Sequence, residues 1–180
     1  MNDYEFTLKF RLPESGKNPE EYIAALADAG CDDALVGVGR PGRIALDFTR
    51  TATSATDAIV SALKDVRKAI PKAELVEASP DFVGLTDVAE IAGCTRQNMR
   101  KLMTTHLASF PAPVHDGSSA VWHLATVLRW LHEKQQRSVD VTLLEVAKIN
   151  MALNIAKERA AIPNADQKKF TDLLMLAAAT

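Results

Sequence analysis

Apolar and polar residues alternate strictly at the start of the chain. The apolar side chains are Tyr4, Phe6, Leu8, Phe10 and Leu12, and every residue between them is polar or charged. A period of two places all the apolar side chains on one face of a β-strand. A strand with one apolar face has to join a sheet whose apolar side is covered. The chain therefore begins with a sheet that needs helices packed against it.

The residues up to 81 supply those helices and the rest of the sheet. Asn18 as a cap and Pro19 in the first turn predict one helix, and apolar spacing between Ser54 and Pro71 predicts a second. Short apolar runs predict three further strands, at 34–38, 43–49 and 72–78. The resulting order, βαββαβ, is that of a ferredoxin-like sandwich, which we predict for residues 1–81.

The side chains that give this fold its known chemistries are missing from the same residues. Cys31 is the only cysteine there, so an iron–sulfur cluster would lack ligands. The loop after the first strand carries Glu14 and no arginine, unlike an acylphosphatase phosphate cradle. The aromatic residues alternate in phase with the aliphatic ones, which indicates a core position rather than an RNA-binding surface. We expect a structural or interaction role for this unit.

Two short amphipathic helices joined by Gly93 are predicted between Leu85 and Leu102. Thr86 and Thr95 are the expected caps, and a glycine permits the sharp turn. Apolar residues occupy the positions that face a core, namely Val88, Ala92, Cys94, Met99 and Leu102. The second helix begins with long polar side chains, namely Arg96, Gln97, Asn98, Arg100 and Lys101. Helix-turn-helix proteins use this arrangement to place a helix in the major groove of DNA.

The residues that follow predict a wing and a closing helix. Extended segments at 110–115 and 120–122 flank the polar loop 116–119, and helical spacing covers 123–134. The whole stretch resembles the winged helix-turn-helix domain of MerR and excisionase-like regulators. The matching residues are Leu85-Thr86, Ala89, Gly93, Thr95-Arg96-Gln97, Phe110-Pro111-Ala112-Pro113, Trp122 and Trp130-Leu131. The resemblance covers about residues 83–134 and implies binding of double-stranded DNA, without the MerR effector domain.

Candidate DNA-binding residues follow from this arrangement. Arginine pairs best with guanine and glutamine or asparagine with adenine, whereas basic groups one turn further along reach phosphates. His115 is at most a phosphate contact, and Ser118 and Ser119 are either phosphate contacts or turn residues. The full candidate set is Thr86, Thr95, Arg96, Gln97, Asn98, Arg100, Lys101, His115, Ser118 and Ser119. The alternative is a packed αα-hairpin with no role in DNA binding.

Charge is spread unevenly along a chain whose formal net charge is −2. Residues 1–81 carry 10 basic and 14 acidic groups, residues 82–137 carry 6 and 4, and residues 138–180 carry 5 and 5. The block with the predicted recognition helix is therefore the only net positive one. The histidines and cysteines share no ligand spacing, so we predict neither a metal site nor a cofactor.

Residues 138–180 predict a helical hairpin. The run from Val139 to Arg159 lacks Gly and Pro and is apolar on two faces, and Pro163-Asn164 separates it from an amphipathic helix at 166–179. The preceding domain can cover only one of those faces, so we expect a homodimer. The alternative is a helical tail packed on the first domain of its own chain.

The sequence thus predicts an α+β protein of three parts. These are a ferredoxin-like domain at 1–81, a winged helix-turn-helix at 82–137 and dimerisation helices at 138–180. The function expected is transcription regulation by a homodimer. We expect the protein in the cytoplasm, because no signal peptide or long apolar span is found. The alternative is an antitoxin or adaptor that binds a protein partner such as a toxin and binds DNA only for autoregulation. No catalytic constellation stands out, so we expect no enzyme.

Overall fold

The computed structural model describes residues 1–14 and 18–177 as a mixed α+β protein. Within those residues the chain forms seven α-helices, one four-stranded antiparallel sheet and one short two-stranded sheet. The predicted α+β class is therefore confirmed. Residues 178–180, which include the end of the last predicted helix, lie outside the described residues.

The larger sheet contains β1 (Asn2–Arg11), β2 (Ala34–Gly37), β3 (Arg43–Ala52) and β4 (Glu74–Ser79). Its strand order is β2-β3-β1-β4, and every neighbouring pair is antiparallel. The two central strands, β1 and β3, pair over ten residues each. In this register Phe6 lies opposite Phe48, and their rings stack with 5.1 Å between centroids.

One face of this sheet is buried and the other is open. The even-numbered side chains of β1 from Tyr4 to Phe10 are at most 3% exposed, as the alternation predicts. Three helices pack on that face, namely α1 (Ile23–Ala29), α2 (Ala55–Ala69) and α6 (Val141–Ala160). The sequence predicts two covering helices, and the third comes from the C-terminal region.

A buried arginine ties β3 to the neighbouring helices. Arg50 donates hydrogen bonds to Asp33 at 2.7 and 2.9 Å, to Asp65 at 2.7 Å and to the carbonyl of Gly30 at 2.7 Å. The hydrogen bonds with Asp33 raise the pKa of Arg50 above its usual value and outweigh its burial. Arg50 therefore has a structural role in the unit formed by the larger sheet and its helices.

The elements after the larger sheet form a second core. The strand β5 (Phe82–Val83) pairs with β6 (Trp122–His123), and α3 (Leu85–Ile91) and α4 (Arg96–Thr105) lie between them in sequence. They are followed by α5 (Leu124–Gln135), and α7 (Asn164–Ala177) is the last helix described. The buried side chains of this core include Val88, Met99, Trp122, Leu124, Leu128 and Leu131.

Helix α6 is covered on two sides by its own chain. Val146, Ile149 and Leu153 pack with the core of the larger sheet, whereas Ala147 and Met151 pack with the second core. Along the middle of α6, the two apolar faces from which a homodimer is expected are thus both covered within one chain, and that argument for a dimer is wrong. The reason is that two preceding units, rather than one, offer apolar surface to the helix.

Buried hydrogen bonds attach α6 to the edge of β4. The side chain of Asn154 accepts from the Ala78 N–H at 2.9 Å and donates to the Ala78 carbonyl at 2.8 Å. It also donates to the carboxylate of Asp81 at 2.8 Å, whose other oxygen lies 2.8 Å from Nδ1 of His123. Asp81 and Asn154 are buried. The network therefore joins the sheet, α6 and the residue that precedes α5.

Asn154→Leu is expected to lower the free energy of unfolding by about 2–4 kcal/mol, because it removes the partner of both backbone groups of Ala78 and of one carboxylate oxygen of Asp81. Urea unfolding followed by circular dichroism measures this loss. Lys148→Leu, at an exposed position of the same helix, is the control and should change stability by less than about 0.5 kcal/mol. Equal losses in the two variants would contradict the role given to Asn154.

Candidate nucleic-acid interface

A tight turn at residues 92–95 joins α3 to α4. Gly93 has a φ of +63°, in the left-handed region that other residues adopt only at a cost. The N–H of Cys94 donates to the carbonyl of Ala89 at 2.9 Å and closes the end of α3. The glycine therefore occupies the turn where the sequence predicts it.

The two helices begin in different ways. Helix α4 starts after Thr95, whose hydroxyl accepts from the N–H of Asn98 at 3.2 Å, as predicted. Helix α3 starts earlier than expected, with Gly84 as its N-cap, so the expectation that Thr86 caps it is wrong. The N–H of Gly84 donates to the carboxylate of Asp87 at 2.7 Å. Because that carboxylate satisfies the helix start, Thr86 becomes an exposed residue of the first turn.

The inner and outer faces of α4 differ in character. Met99 is fully buried, and Leu102 is partly buried against the second core. The outer face is formed by exposed side chains, namely Arg96, Gln97, Asn98, Arg100 and Lys101. In the described part of the chain, no carboxylate lies within 4 Å of the three basic groups. Their charges are therefore available to an external anion.

The predicted wing is a loop closed by a single bridge. His115 pairs with Val121, whose N–H donates to the His115 carbonyl at 3.0 Å. Residues 110–113 form no strand, contrary to the expected extended pairing, because their two prolines offer no N–H to a ladder. They are held instead by the indole N–H of Trp122, which donates to the carbonyl of Pro111 at 3.0 Å. The strand partner of Trp122 is β5.

An open depression of about 410 Å³ lies between α4 and this loop. Arg96 and Arg100 line it from α4, Ser118 and Ser119 line it from the loop, and Thr86 contributes from α3. Guanidinium groups and hydroxyls around a concave surface match the oxygens of a phosphate. The structure thus brings half of the predicted site residues to one anion-compatible surface.

The other predicted site residues lie outside this depression. Three of them are exposed elsewhere on α4, namely Gln97, Asn98 and Lys101. The hydroxyl of Thr95 is used as a helix cap. The ring of His115 lies close to Gly117, where an added Cβ would stand 2.6 Å from its Nε2. The loop residue Gly117 therefore leaves the room that the imidazole occupies.

Sequence reasoning missed the polar groups that position this unit. Asn150 and Asn154 are fully buried four residues apart on α6, and Asp81 is buried beside Asn154. Two asparagines at helical spacing within an apolar run are a detectable signal, because a polar residue on a buried face needs a specific partner. That signal indicates a buried contact but does not identify the partner.

Comparison with known protein families, with curated proteins and with solved structures found no match to this chain. Among residues 1–14 and 18–177, no group of three or more His, Cys, Asp or Glu side chains is placed to hold a metal ion. In the same part of the chain, none of the helices has the length and apolar character needed to cross a membrane.

Thr95→Ala is expected to cost about 1 kcal/mol of stability, because it removes the side-chain cap of α4. Thr86→Ala is the matched control and should cost less than about 0.5 kcal/mol, since Thr86 makes no cap in this structure. Urea unfolding of both variants gives the comparison. A larger loss for Thr86→Ala than for Thr95→Ala would show that Thr86, and not Gly84, caps α3.

Proposed function

We propose that this chain is a sequence-specific, double-stranded DNA-binding transcriptional regulator that reads the major groove with α4. The observation that carries the proposal is the outer face of α4, where three basic and two amide side chains are exposed without an acidic partner in the described residues. An amphipathic helix that presents such side chains at its start suits insertion into the major groove.

The order of elements supports a winged helix-turn-helix for residues 82–137. Two helices joined by a glycine turn are followed by a closed loop and a helix, and β6 pairs back to β5. The strand order β2-β3-β1-β4 with helices on one face supports a ferredoxin-like arrangement for residues 1–81. The proposal places the protein in the cytoplasm and assigns it no catalytic step.

Contacts to DNA bases and contacts to DNA phosphates are assigned to different residues of α4. Gln97 and Asn98 lie in the first turn, which comes closest to base edges in a docked helix. Arg100 shares its depression with the loop serines, a position that suits a backbone phosphate. Arg96 lies in the first turn and also lines that depression, so it is able to reach either group.

Residues that read bases and residues that contact phosphates are expected to have different effects on DNA binding when they are replaced. On a duplex selected from a random library, Arg96→Ala or Gln97→Ala should cost about 1–3 kcal/mol and relax preference at one base pair. Lys101→Ala should weaken binding to every duplex and reduce the salt slope by about one. Fluorescence anisotropy across a salt series measures both effects, with Lys68→Ala on the exposed side of α2 as the charge-loss control.

Two outcomes of that assay count against the proposal. If no duplex is enriched above random DNA at low salt, the regulator proposal fails. If Arg96→Ala and Gln97→Ala weaken selected and random duplexes equally, α4 does not read bases. The alternative of a packed αα-hairpin with no role in DNA binding would then be favoured.

We also propose a homodimer, formed by the end of α6 and by α7 rather than by the whole C-terminal region. Large apolar side chains are between 45% and 73% exposed there, namely Ile155, Ile162, Phe170, Leu173, Leu174 and Met175. The hydrogen bonds of Gln167 to Arg159 and Ile162 hold the start of α7. A lone helix of this length is marginal in water, so α7 needs a cover.

A second copy of the chain would offer a matching apolar surface of sufficient area. Six half-exposed side chains on each of two copies would bury on the order of 1,000 Å², near the lower limit for a stable interface. A two-fold dimer also suits DNA binding, because paired α4 helices would contact an inverted repeat.

Leu173→Glu with Leu174→Glu is expected to convert a dimer to a monomer, because both side chains are more than half exposed on the proposed interface. Sedimentation velocity at about 10 μM, where an interface of micromolar affinity is mostly occupied, measures the change. Ala165→Glu, which adds a charge at an exposed position on the opposite side of the same helix, is the control and should remain dimeric. A monomeric wild-type protein at that concentration would exclude the proposed dimer.

A further inference from the structure

Four cations meet at one corner of the open face of the larger sheet. Arg11 on β1 and Arg43 on β3 are direct cross-strand partners, and Lys9 lies on the same face two residues before Arg11. Arg40 lies in the connection between β2 and β3, where its carbonyl accepts from the N–H of Arg43 at 3.1 Å. We call Lys9, Arg11, Arg40 and Arg43 the basic corner.

The positive charge of the basic corner is only partly neutralised. Lys9 pairs with Glu77 at 3.0 Å and Arg11 with Glu74 at 3.3 Å, and the side chains of the second pair are more than 60% exposed. No carboxylate of the described residues lies within 4 Å of Arg40 or Arg43. Like charges placed directly across two strands destabilise a sheet. An anion bound beside Arg43 would reduce that repulsion.

The surface beside three of these cations is concave, and small residues form much of the rest of its lining. Gly37, Gly39 and Ala45 line an open depression of about 400 Å³ together with Lys9, Arg40 and Arg43. A Cβ on Gly39 would meet nothing within 4 Å. The depression therefore has space for a small ligand, within the range of typical ligand pockets.

The basic corner lies at the end of the sheet away from the proposed DNA-binding unit. In the pairing of β1 with β4, Arg11 is opposite Glu74 and Thr7 is opposite Ser79, after which the chain continues into β5. The four residue steps from Thr7 to Arg11 span about 13 Å of strand. The other end of the open face carries Asp3 and Glu5. Acidic groups thus separate the basic corner from the second unit.

We propose that the basic corner binds a small oligophosphate anion, at a site separate from the α4 surface and independent of the proposed function. One guanidinium group donates two parallel hydrogen bonds to the oxygens of a phosphate. The adjacent Arg40 and Arg43 provide two such groups, and neither has a carboxylate partner in the described residues. The ligand is compact, because a polyanion that extended along the strands would meet Asp47, Glu5 and Asp3 on the same face. Its phosphates come from inorganic pyrophosphate or from a nucleoside diphosphate.

Isothermal titration of the full chain with pyrophosphate and with ADP, at constant ionic strength and without magnesium, tests the site. We expect a dissociation constant below about 1 mM for pyrophosphate and at least about tenfold weaker binding to Arg40→Ala with Arg43→Ala. The matched control is Arg67→Ala with Lys68→Ala, which removes two exposed cations from α2 and should leave binding unchanged. Tighter binding of ADP than of pyrophosphate would show that the site recognises a nucleotide. Equal binding of the two would show that it recognises only the phosphates.

Three results would overturn the proposal. The first is pyrophosphate binding no tighter than sulfate binding at the same ionic strength. The second is an equal loss in the α2 control, which would show that only general charge matters. The third is tighter binding of a single-stranded oligonucleotide or an acidic peptide than of pyrophosphate, lost when Arg40 and Arg43 are replaced. That result would assign the corner to an extended polyanion. A thermal melt of each variant verifies that these exposed substitutions leave the fold intact.

Discussion

The side-chain amide of Asn154 takes the place of a neighbouring strand at the edge of β4. It satisfies both the N–H and the carbonyl of Ala78, and the ammonium of Lys157 continues the contact by donating to the carbonyl of Val76. Exposed strand edges are open to unwanted pairing, and this contact covers one of the two edges of the sheet. Because the same amide binds Asp81, the position of α6 on the sheet also determines where the second unit begins.

Sharing α6 between two cores makes the two units depend on each other. Val146 belongs to the core of the larger sheet and Ala147, the next residue, to the second core. Removing α6 would expose apolar surface in both units, so truncation before this helix would not isolate an intact second unit. The junction also has a cost, because Oδ1 of Asn150 is buried without a hydrogen-bond partner in the described residues.

Structural features that depend on near neighbours could be predicted from the sequence. Features that depend on which of several possible partners a residue contacts could not. The buried face of β1, the cap at Thr95 and the turn at Gly93 depend on near neighbours, and the structure contains all three. The two apolar faces of α6 indicated burial but not which surfaces provide it. Likewise, Thr86 is an acceptable cap in isolation, and only the competing carboxylate of Asp87 displaces it. The exposure of the α4 side chains was predictable, whereas which of them share a depression depends on the loop at 116–119.

The net charge of −2 is a poor guide to whether this protein binds a polyanion. Charges on a protein surface are screened within about 8 Å at physiological salt, so an approaching phosphate responds to local groups. In the first unit, buried Arg50 is neutralised by Asp33 and Asp65 and offers nothing to the surface. On α4, by contrast, the three basic side chains are exposed and lack carboxylate partners in the described residues. Pairing and exposure, rather than the number of cations, therefore decide where this acidic chain is able to attract phosphate.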